Sequence, residues 1–186
     1  MVEEGLPGSK VAIHAGYFLT TERLGFRTWQ PEDTDLATAL WGDPEVSRFI
    51  HASGPPSRAA IEERLAREIS SQAEHGIQYW PIFLLDGGAH VGCAGLRPYR
   101  PEQGILEIGV HLRPAFFRQG FALEAARAVI PHAFEKRGAR ALFAGHNPNN
   151  TASRALLLKL GFRYTHDELY PPTGLMHPSY LLAQKA

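Results

Sequence analysis

Gly120 lies where the alternating, strand-like segment 105–111 gives way to a helix-forming segment that starts near Phe121. A residue without a Cβ atom allows a sharp turn at such a junction and lets backbone N–H groups approach a ligand closely. The first turn of a helix adds unpaired N–H groups and the positive end of the helix dipole, a combination that suits phosphate or pyrophosphate. Arg118 would add a positive charge beside them. The same residue types also occur at an ordinary helix N-terminus with a turn glycine and a solvated arginine, so these residues alone leave both interpretations open.

Neither of two common phosphate-binding motifs occurs in the sequence. Gly120 is not followed by the Lys and Ser or Thr of G-x-x-x-x-G-K-[ST], and there is no G-x-G-x-x-G. A phosphate bound at this turn would therefore be held mainly by backbone N–H groups.

A second segment, which starts near Asn150, has the pattern of a helix with defined ends. Asn150 precedes an apolar-periodic run, Lys159 lies in its last turn and Gly161 follows it. Each of these is a helix boundary signal, so the pattern predicts a helix over residues 150–160.

The order and spacing of these segments resemble a known family. A glycine turn followed by Glu-Ala, and about thirty residues later by Asn-x-x-Ser and then Lys-Leu-Gly-Phe, is similar to the GNAT superfamily of acetyl-CoA-dependent N-acetyltransferases. Within it, the pattern is most similar to the branch of the Rim-type ribosomal-protein N-terminal acetyltransferases. The resemblance runs from about Thr21 to the C-terminus, and the segments that carry it are 21–27, 31–33, 43–46, 116–122 with 124–125, 150–153 and 159–162.

The resemblance implies an α+β fold with α/β/α layers. Its central sheet would be mixed but mostly antiparallel, with about six to seven strands, splayed in the middle, and with helices on both faces. It implies a single acetyltransferase domain over residues 17–186, preceded by an N-terminal extension over residues 1–16, and acetyl-CoA as the co-substrate. The cofactor-binding residues that it implies are Val110, His111 and Leu112 for the pantetheine arm through main-chain atoms, the N–H groups of Arg118, Gln119, Gly120, Phe121 and Ala122 for the pyrophosphate, and Asn150 and Ser153 beside the cofactor.

Two of these assignments have structural alternatives. Asn150 corresponds to an Asn that hydrogen-bonds the cofactor in many family members, but it could also cap the following helix. Ser153, one turn later, could point into the same cleft or be a small packing residue.

Acetyl transfer to an amine requires an uncharged nucleophile, a polarised carbonyl and a proton for the departing thiolate. Glu107 is the first candidate base, because family members often carry a catalytic or water-positioning Glu on this strand; an ion pair is the alternative role. His111 is the second candidate, since it would lie near the thioester. With a rise near 3.3 Å per residue, the two positions share a face of the strand but are ~13 Å apart, so they are not expected to contact the same amine.

The acid that protonates the thiolate is not evident. Many family members have a Tyr seven residues after the Asn, but this chain has Leu157 at that position. The Rim-like branch often lacks that Tyr as well. A different acid, solvent or direct departure of the thiolate is therefore required, and Tyr180 is one substitute.

Composition sets further limits. A chain of 186 residues can form one domain with a sizeable core, and its 19 basic and 19 acidic residues cancel, so no global field attracts nucleic acid or a membrane. The single cysteine, Cys93, excludes an internal disulfide, fits a reducing cytoplasm and is expected to be a buried small residue. Glu3 and Glu4 stand where a signal peptide would carry Lys or Arg. The nine histidines form no H-x-x-x-H pair, so no metal site is predicted.

The remaining pattern predicts the elements around these residues. Asp86-Gly87-Gly88 predicts a hairpin, Pro131 a kink or an early helix end, and residues 97–104 a long turn. The helix 58–74 should bury Ile61, Leu65 and Ile69. Trp29, Trp41 and Tyr79 could line an acceptor pocket, whereas Trp80 is expected in the core. The predicted strands are 20–30, 78–85, 89–96, 105–111, 139–146, 162–169 and 179–182, and helices are predicted at 31–41, 43–50, 58–74, from 121 and at 150–160.

Three functions fit these observations. The leading one is transfer of acetyl from acetyl-CoA to a primary amine, either a protein N-terminus or a small molecule, in a cytoplasmic enzyme that could form a homodimer. The second is a catalytically inactive acyl-CoA-binding sensor or subunit, which the missing Tyr supports. The third is a nucleotide-binding protein that uses the same turn.

Overall fold

The computed structural model describes residues 16–184 and has one eight-stranded sheet at its centre. Across the sheet the strands follow the order 1-2-3-4-5-6-8-7, and all neighbours are antiparallel except the fifth and sixth. The predicted mixed, mostly antiparallel sheet is confirmed, with eight strands in place of six or seven. The strands are β1 (Leu19–Thr20), β2 (Leu24–Phe26), β3 (Tyr79–Leu84), β4 (His90–Arg100), β5 (Ile105–Leu112), β6 (Ala141–Gly145), β7 (Arg163–Tyr170) and β8 (Leu175–Ala183).

The α-helices of the described residues begin and end close to the signals in the sequence. Ser57 accepts a hydrogen bond from the Ala60 N–H at the start of the longest helix, and Gly76 ends it in a left-handed conformation. The helices are α1 (Thr34–Trp41), α2 (Pro44–Ser47), α3 (Arg58–His75), α4 (Phe121–Pro131) and α5 (Thr151–Lys159). No helix in the described ranges combines the length and apolar character needed to cross a bilayer.

Each face of the sheet is covered by its own hydrophobic cluster. On one face, α4 contributes Ala125 and Val129 to the larger cluster, together with Ile108 of β5. On the other face, α1 and α3 contribute Leu40 and Leu65 to the second cluster. The arrangement confirms helices on both faces, and the alternation of β5 sends its even-numbered side chains to the α4 side and its odd-numbered ones to the α3 side.

The sheet is splayed between its parallel strands. β5 and β6 share only three register pairs, which end at Glu107 and Phe143, although β5 continues to Leu112 and β6 to Gly145. Antiparallel neighbours hold the two strands on their other edges. Beyond Glu107, the main chain of β5 therefore lacks a strand partner on the side of β6.

Several predicted boundaries were wrong. The expected strand over residues 20–30 is two short strands, β1 and β2, because the chain turns between Thr20 and Leu24. The expected turn 97–104 is mostly strand, since β4 remains paired with β5 to Arg100 before a 3₁₀ turn at Pro101–Gln103. The last strand starts at Leu175, four residues earlier than predicted, because it pairs with the full length of β7.

The expected effect of Pro131 is confirmed. The α-helical part of α4 ends at this residue, and the chain continues as a π-helix over His132–Lys136. The predicted extension over residues 1–16 lies outside the described residues except for its last residue, and the division of the chain at residue 17 stays a prediction.

Candidate active site

The turn before α4 has a backbone suited to binding an anion. Arg118 and Gly120 adopt left-handed conformations, with φ of 60° and 84°. No side chain caps the start of α4, and the Glu124 N–H donates to the Gly120 carbonyl at 3.0 Å as the first bond of the helical ladder. The N–H groups of the turn before Glu124 therefore have no helical acceptor. They are the donors that a phosphate would use.

Three side chains that were not predicted to bind the phosphate, Thr21, Arg23 and Glu124, hold this turn against the sheet. The Glu124 carboxylate accepts from the Thr21 hydroxyl at 2.6 Å and from the Arg23 side chain at 2.7 Å. Arg23 also donates to the Gln119 carbonyl at 3.2 Å. Burial would raise the pKa of Glu124, but these hydrogen bonds hold it below its ordinary value. The turn is thus tied to the β1–β2 connection by a charged group.

A cavity of about 1220 Å³ passes through the split between β5 and β6. It is lined on one side by Ala122 and Ala126 of α4 and on the other by Arg64 of α3. Residues 107–112 of β5 all contribute to its wall. One continuous cavity therefore joins the anion-binding turn to the opposite face of the sheet.

The residues predicted for the pyrophosphate occupy this turn in different ways. Arg118 and Ala122 line the cavity, whereas Gln119 and Gly120 are exposed beside it. The Phe121 side chain is buried in the core next to Phe116, so only its main chain could contact a ligand. A phosphate-binding role here depends on N–H groups, as the sequence predicts.

The three residues predicted for the pantetheine arm lie along the open edge of β5. Val110 and Leu112 pack against the α4-side cluster through their side chains, and all three line the cavity. Because β6 has diverged at this point, their main-chain groups on that edge are available to an extended ligand.

Asn150 and Ser153 also line the cavity, at the start of α5. The Asn150 side-chain oxygen accepts from the Ser153 N–H at 3.0 Å, so Asn150 caps the helix. Capping engages only the oxygen of the amide, and its NH₂ group could still donate to a ligand.

On the α3 side of β5, Glu107 is joined to Tyr79. The Tyr79 hydroxyl donates to the Glu107 carboxylate at 2.8 Å. The Tyr79 ring lies directly over Gly109, where a Cβ atom would overlap it. Burial, followed by the charge of Glu107, raises the pKa of Tyr79 well above its ordinary value. Tyr79 is therefore a neutral hydrogen-bond donor that orients Glu107, and it lines the cavity as predicted.

A buried ion pair supports Tyr79 from behind. Glu68 is fully buried and accepts a hydrogen bond from Arg97 with one oxygen and from the Tyr79 N–H, at 2.8 Å, with the other. The Arg97 guanidinium lies 4.1 Å from the centre of the Tyr79 ring. Burial opposes the charge of Arg97, but Tyr79 and Glu68 together raise its pKa. These contacts hold the Tyr79 ring in one orientation over Gly109.

His111 lies on the same face, beyond Tyr79. Its Nδ1 is 3.3 Å from Nη2 of Arg64 and 3.7 Å from Sγ of Cys93, and its ring meets the Tyr79 ring edge-on. Burial, and then the charges of Arg64 and Arg97, lower the pKa of His111 well below 6.5. The imidazole is therefore neutral, and its Nδ1 accepts a hydrogen bond from Arg64.

Tyr180 does not reach the cavity. Its side chain is buried in the α4-side cluster, and its hydroxyl lies 3.5 Å from Nε2 of His146. His146 and Leu157 line the cavity, and Tyr180 does not. The Tyr180 hydroxyl contacts His146 rather than the cavity, so its position does not favour the predicted role as a direct acid.

Glu68 and Arg64 were not among the predicted site residues, although the sequence contains a signal for both. In α3 the buried positions Ile61 and Leu65 recur at helical spacing, and Arg64 and Glu68 fall three and seven residues after Ile61 on the same face. Two charged residues on a buried stripe indicate a polar site under the helix. Their partners, however, come from β3, β4 and β5 and could not be read from α3 alone.

Other predictions concern residues near the site. Trp29, Trp41 and Trp80 are core residues and none of them lines the cavity, so only the expectation for Trp80 is confirmed. Cys93 is fully buried as predicted, and burial raises the pKa of its thiol to about 12. Within residues 16–184, His, Cys, Asp and Glu side chains form no group of three that could hold a metal ion.

The splayed mixed sheet, the uncapped start of α4 at the split and the half-buried Glu107 beside it agree with the fold and site that the resemblance implies. The model of the acetyltransferase (GNAT) domain matches residues 23–163, and the chain belongs to this family. The chain is 28% identical to the uncharacterized N-acetyltransferase p20 of Bacillus licheniformis over 145 residues, which cover 78% of this chain and 82% of that protein.

Solved structures have the same fold. A GNAT-family acetyltransferase from Bacillus anthracis matches with a TM-score of 0.76 and 22% identity over 89% of this chain and 97% of that one. RimL, a ribosomal alpha-N-protein acetyltransferase solved in complex with coenzyme A, matches with a TM-score of 0.74 and 15% identity over 88% and 95% of the two chains. The resemblance to the Rim-type branch is confirmed at the level of the fold.

Proposed function

We propose that this protein transfers the acetyl group of acetyl-CoA to a primary amine by direct attack within a ternary complex. The observation that carries the proposal is the cavity through the β5–β6 split, which is lined by Arg118 and Ala122 of the turn at one end and by Glu107 at the other. In this proposal the Gly120 turn and Arg118 bind the pyrophosphate, and the open edge of β5 from Val110 to Leu112 binds the pantetheine arm.

Glu107 is the proposed base. The amine must lose a proton as its nitrogen bonds to the thioester carbon, and Glu107 accepts that proton directly or through one water molecule. The Tyr79 hydroxyl donates to Glu107 at 2.8 Å and thereby orients the carboxylate toward the cavity. Cleavage of the carbon–sulfur bond then yields the amide and coenzyme A. Acetyl-CoA supplies the activated acyl group, and proximity within the cavity supplies much of the rate.

His111 has a different role in this proposal. Because Arg64 occupies its Nδ1 and burial keeps the ring neutral, it is a weak base and shapes the wall of the acceptor pocket. The thiolate takes its proton from solvent or leaves directly, because the Leu157 side chain has no acidic proton and the Tyr180 hydroxyl contacts His146 rather than the cavity.

The test is release of free thiol from acetyl-CoA in the presence of a panel of amines that includes peptides with free N-termini, polyamines and amino acids. We expect acetyl-CoA to bind and at least one amine class to give turnover above the buffer rate. Binding without turnover by any amine would favour the second function, an inactive acyl-CoA-binding sensor or subunit, for which Leu157 is the specific observation.

A nucleotide-binding function makes a different prediction. If the turn served ATP, ATP would raise the melting temperature as much as acetyl-CoA does. We expect protection by acetyl-CoA and coenzyme A only, because the open edge of β5 suits an extended chain. Cytoplasmic location and a homodimer are further proposals, which fractionation and analytical ultracentrifugation test.

A further inference from the structure

Arg64 is a cavity residue whose charge the protein does not neutralise. Its Nε atom is buried and has no hydrogen-bond partner. Its guanidinium stacks on the Trp41 ring at 4.1 Å, and Nη2 donates to His111 at 3.3 Å. Neither group carries a negative charge.

The carboxylates and the other arginines around Arg64 already have hydrogen-bond or ion-pair partners. Both oxygens of Glu68 are used by Arg97 and the Tyr79 N–H, and Glu107 accepts from the Tyr79 hydroxyl. Of the other arginines on this side of the cavity, Arg97 pairs with Glu68, Arg48 with Glu45 and Arg67 with Glu63. Among the described residues, no carboxylate lies within ion-pair distance of Arg64.

The surroundings penalise this unpaired charge. Burial, followed by the charge of Arg97, lowers the pKa of Arg64. Arg64 in turn adds to the effect of burial in lowering the pKa of His51 and of His111. A guanidinium that remains protonated in such a place is costly unless an anion reaches it, because burying an unpaired charge is strongly unfavourable.

We propose that Arg64 binds a carboxylate of the acceptor, so that the preferred substrate is an amine that also carries a carboxylate. The proposal rests on the function proposed above and names the acceptor class for that site. A guanidinium recognises a carboxylate with two parallel hydrogen bonds, and the unpartnered Nε of Arg64 shows that the protein does not use all of its donors.

The geometry also indicates where on the acceptor the carboxylate is. The Tyr79 ring lies between Glu107, to which its hydroxyl donates, and the His111 ring, which contacts Arg64. An amine at Glu107 and a carboxylate at Arg64 are therefore separated by at least the width of this ring. That separation fits an acidic side chain near the N-terminus of a peptide better than the α-carboxylate of a free amino acid.

The experiment compares matched acceptors with the full-length protein. Peptide amides that begin Ser-Asp and Ser-Glu are compared with Ser-Asn and Ser-Gln, and free aspartate and glutamate form a separate arm. The variants are Arg64→Gln, Arg64→Lys and the control Arg58→Gln, an exposed arginine of the same helix whose partners are Glu62 and Asp35. Calorimetry with coenzyme A reports whether each variant retains its cofactor site.

We expect the wild type to have a kcat/KM about 10- to 100-fold higher for acidic than for amide peptides, the value of a hydrogen bond to a charged group. Arg64→Gln should lower kcat/KM for acidic peptides by that factor more than for amide peptides, so that the preference is lost, with the affinity for coenzyme A retained. Arg64→Lys should restore part of the preference, and Arg58→Gln should behave as wild type.

If the wild type is equally active on acidic peptides, on amide peptides and on the free amino acids, this inference is overturned and the proposed function is not affected. That comparison uses the wild type alone, so it does not depend on how any variant folds. An equal loss on both peptide types in Arg64→Gln would likewise overturn it. A preference confined to free aspartate and glutamate would refute the placement of the carboxylate beyond Tyr79. Acetylation of no amine at all would overturn the proposed function, and this inference with it.

Discussion

Replacing Glu107 by Gln tests the proposed base with a nearly isosteric change. The carboxylate lies in the cavity wall, and the side-chain amide that replaces it cannot accept a proton from the amine. A positioned general base contributes about 10²- to 10⁴-fold to such a reaction, so kcat should fall by that factor. Affinity for acetyl-CoA should be unchanged, because the side chain of Glu107 projects to the α3 side of β5, whereas the proposed pantetheine contacts are main-chain groups beyond it.

Tyr79→Phe tests the hydrogen bond that orients Glu107. It removes the hydroxyl that donates to Glu107 at 2.8 Å and keeps the ring over Gly109. A hydrogen bond to a charged group contributes about 1.5–3 kcal/mol, so kcat should fall about 10- to 100-fold. If Tyr79 acts through Glu107, the double variant should be no slower than Glu107→Gln alone, since coupled residues are not additive.

The assay is steady-state release of coenzyme A with the best acceptor, together with calorimetric titration of coenzyme A. Glu102→Gln, an exposed carboxylate in the turn before β5, controls for the loss of one negative charge. Unchanged turnover in Glu107→Gln would remove Glu107 from the mechanism, and an additive double variant would show that Tyr79 acts independently of it.

Three further outcomes follow from particular contacts. Gly120→Asp should abolish binding of coenzyme A in calorimetry, because it places a carboxylate at a left-handed position, φ 84°, beside the phosphate donors. Gly120→Asn, similar in size but uncharged, should retain much of the binding. Equal loss of binding in both variants would disprove the electrostatic reason. Glu68→Ala should lower the free energy of unfolding by about 3 kcal/mol in urea titration, since Arg97 and the buried Tyr79 N–H lose their acceptor; a change of a few tenths would mean that this pair is dispensable. Burial lowers the pKa of His90 to about 4, below its unfolded value of 6.5, so the unfolded chain binds more protons between these two values. The free energy of unfolding should therefore fall as the pH drops from about 6.5 to about 4, by at most about 3 kcal/mol for this group. Unfolding titrations across that range should have a smaller slope in His90→Asn, and an unchanged slope would exclude His90 as a source.

Much of the scaffold followed from local patterns. The helix predicted over residues 58–74, the hairpin at Gly87-Gly88 and the alternation of β5 depend on neighbours in sequence, and all lie near their predicted positions. The wrong boundaries were those decided by pairing. β4 continues to Arg100 because β5 supplies partners there, which no property of residues 97–100 alone indicates.

The sequence by itself determined that a turn with Gly120 links a strand-like segment to a helix and that Cys93 is buried. Only the tertiary structure decided that Tyr79, 28 residues before Glu107, donates to that carboxylate, and that Arg64, 47 residues before His111, contacts its ring. It also decided that Tyr180 packs behind His146 rather than facing the cavity. The physical reason is range: backbone conformation follows from adjacent residues, whereas the partners of a buried charge are set by sheet register and helix packing, which bring together side chains that are distant in the chain.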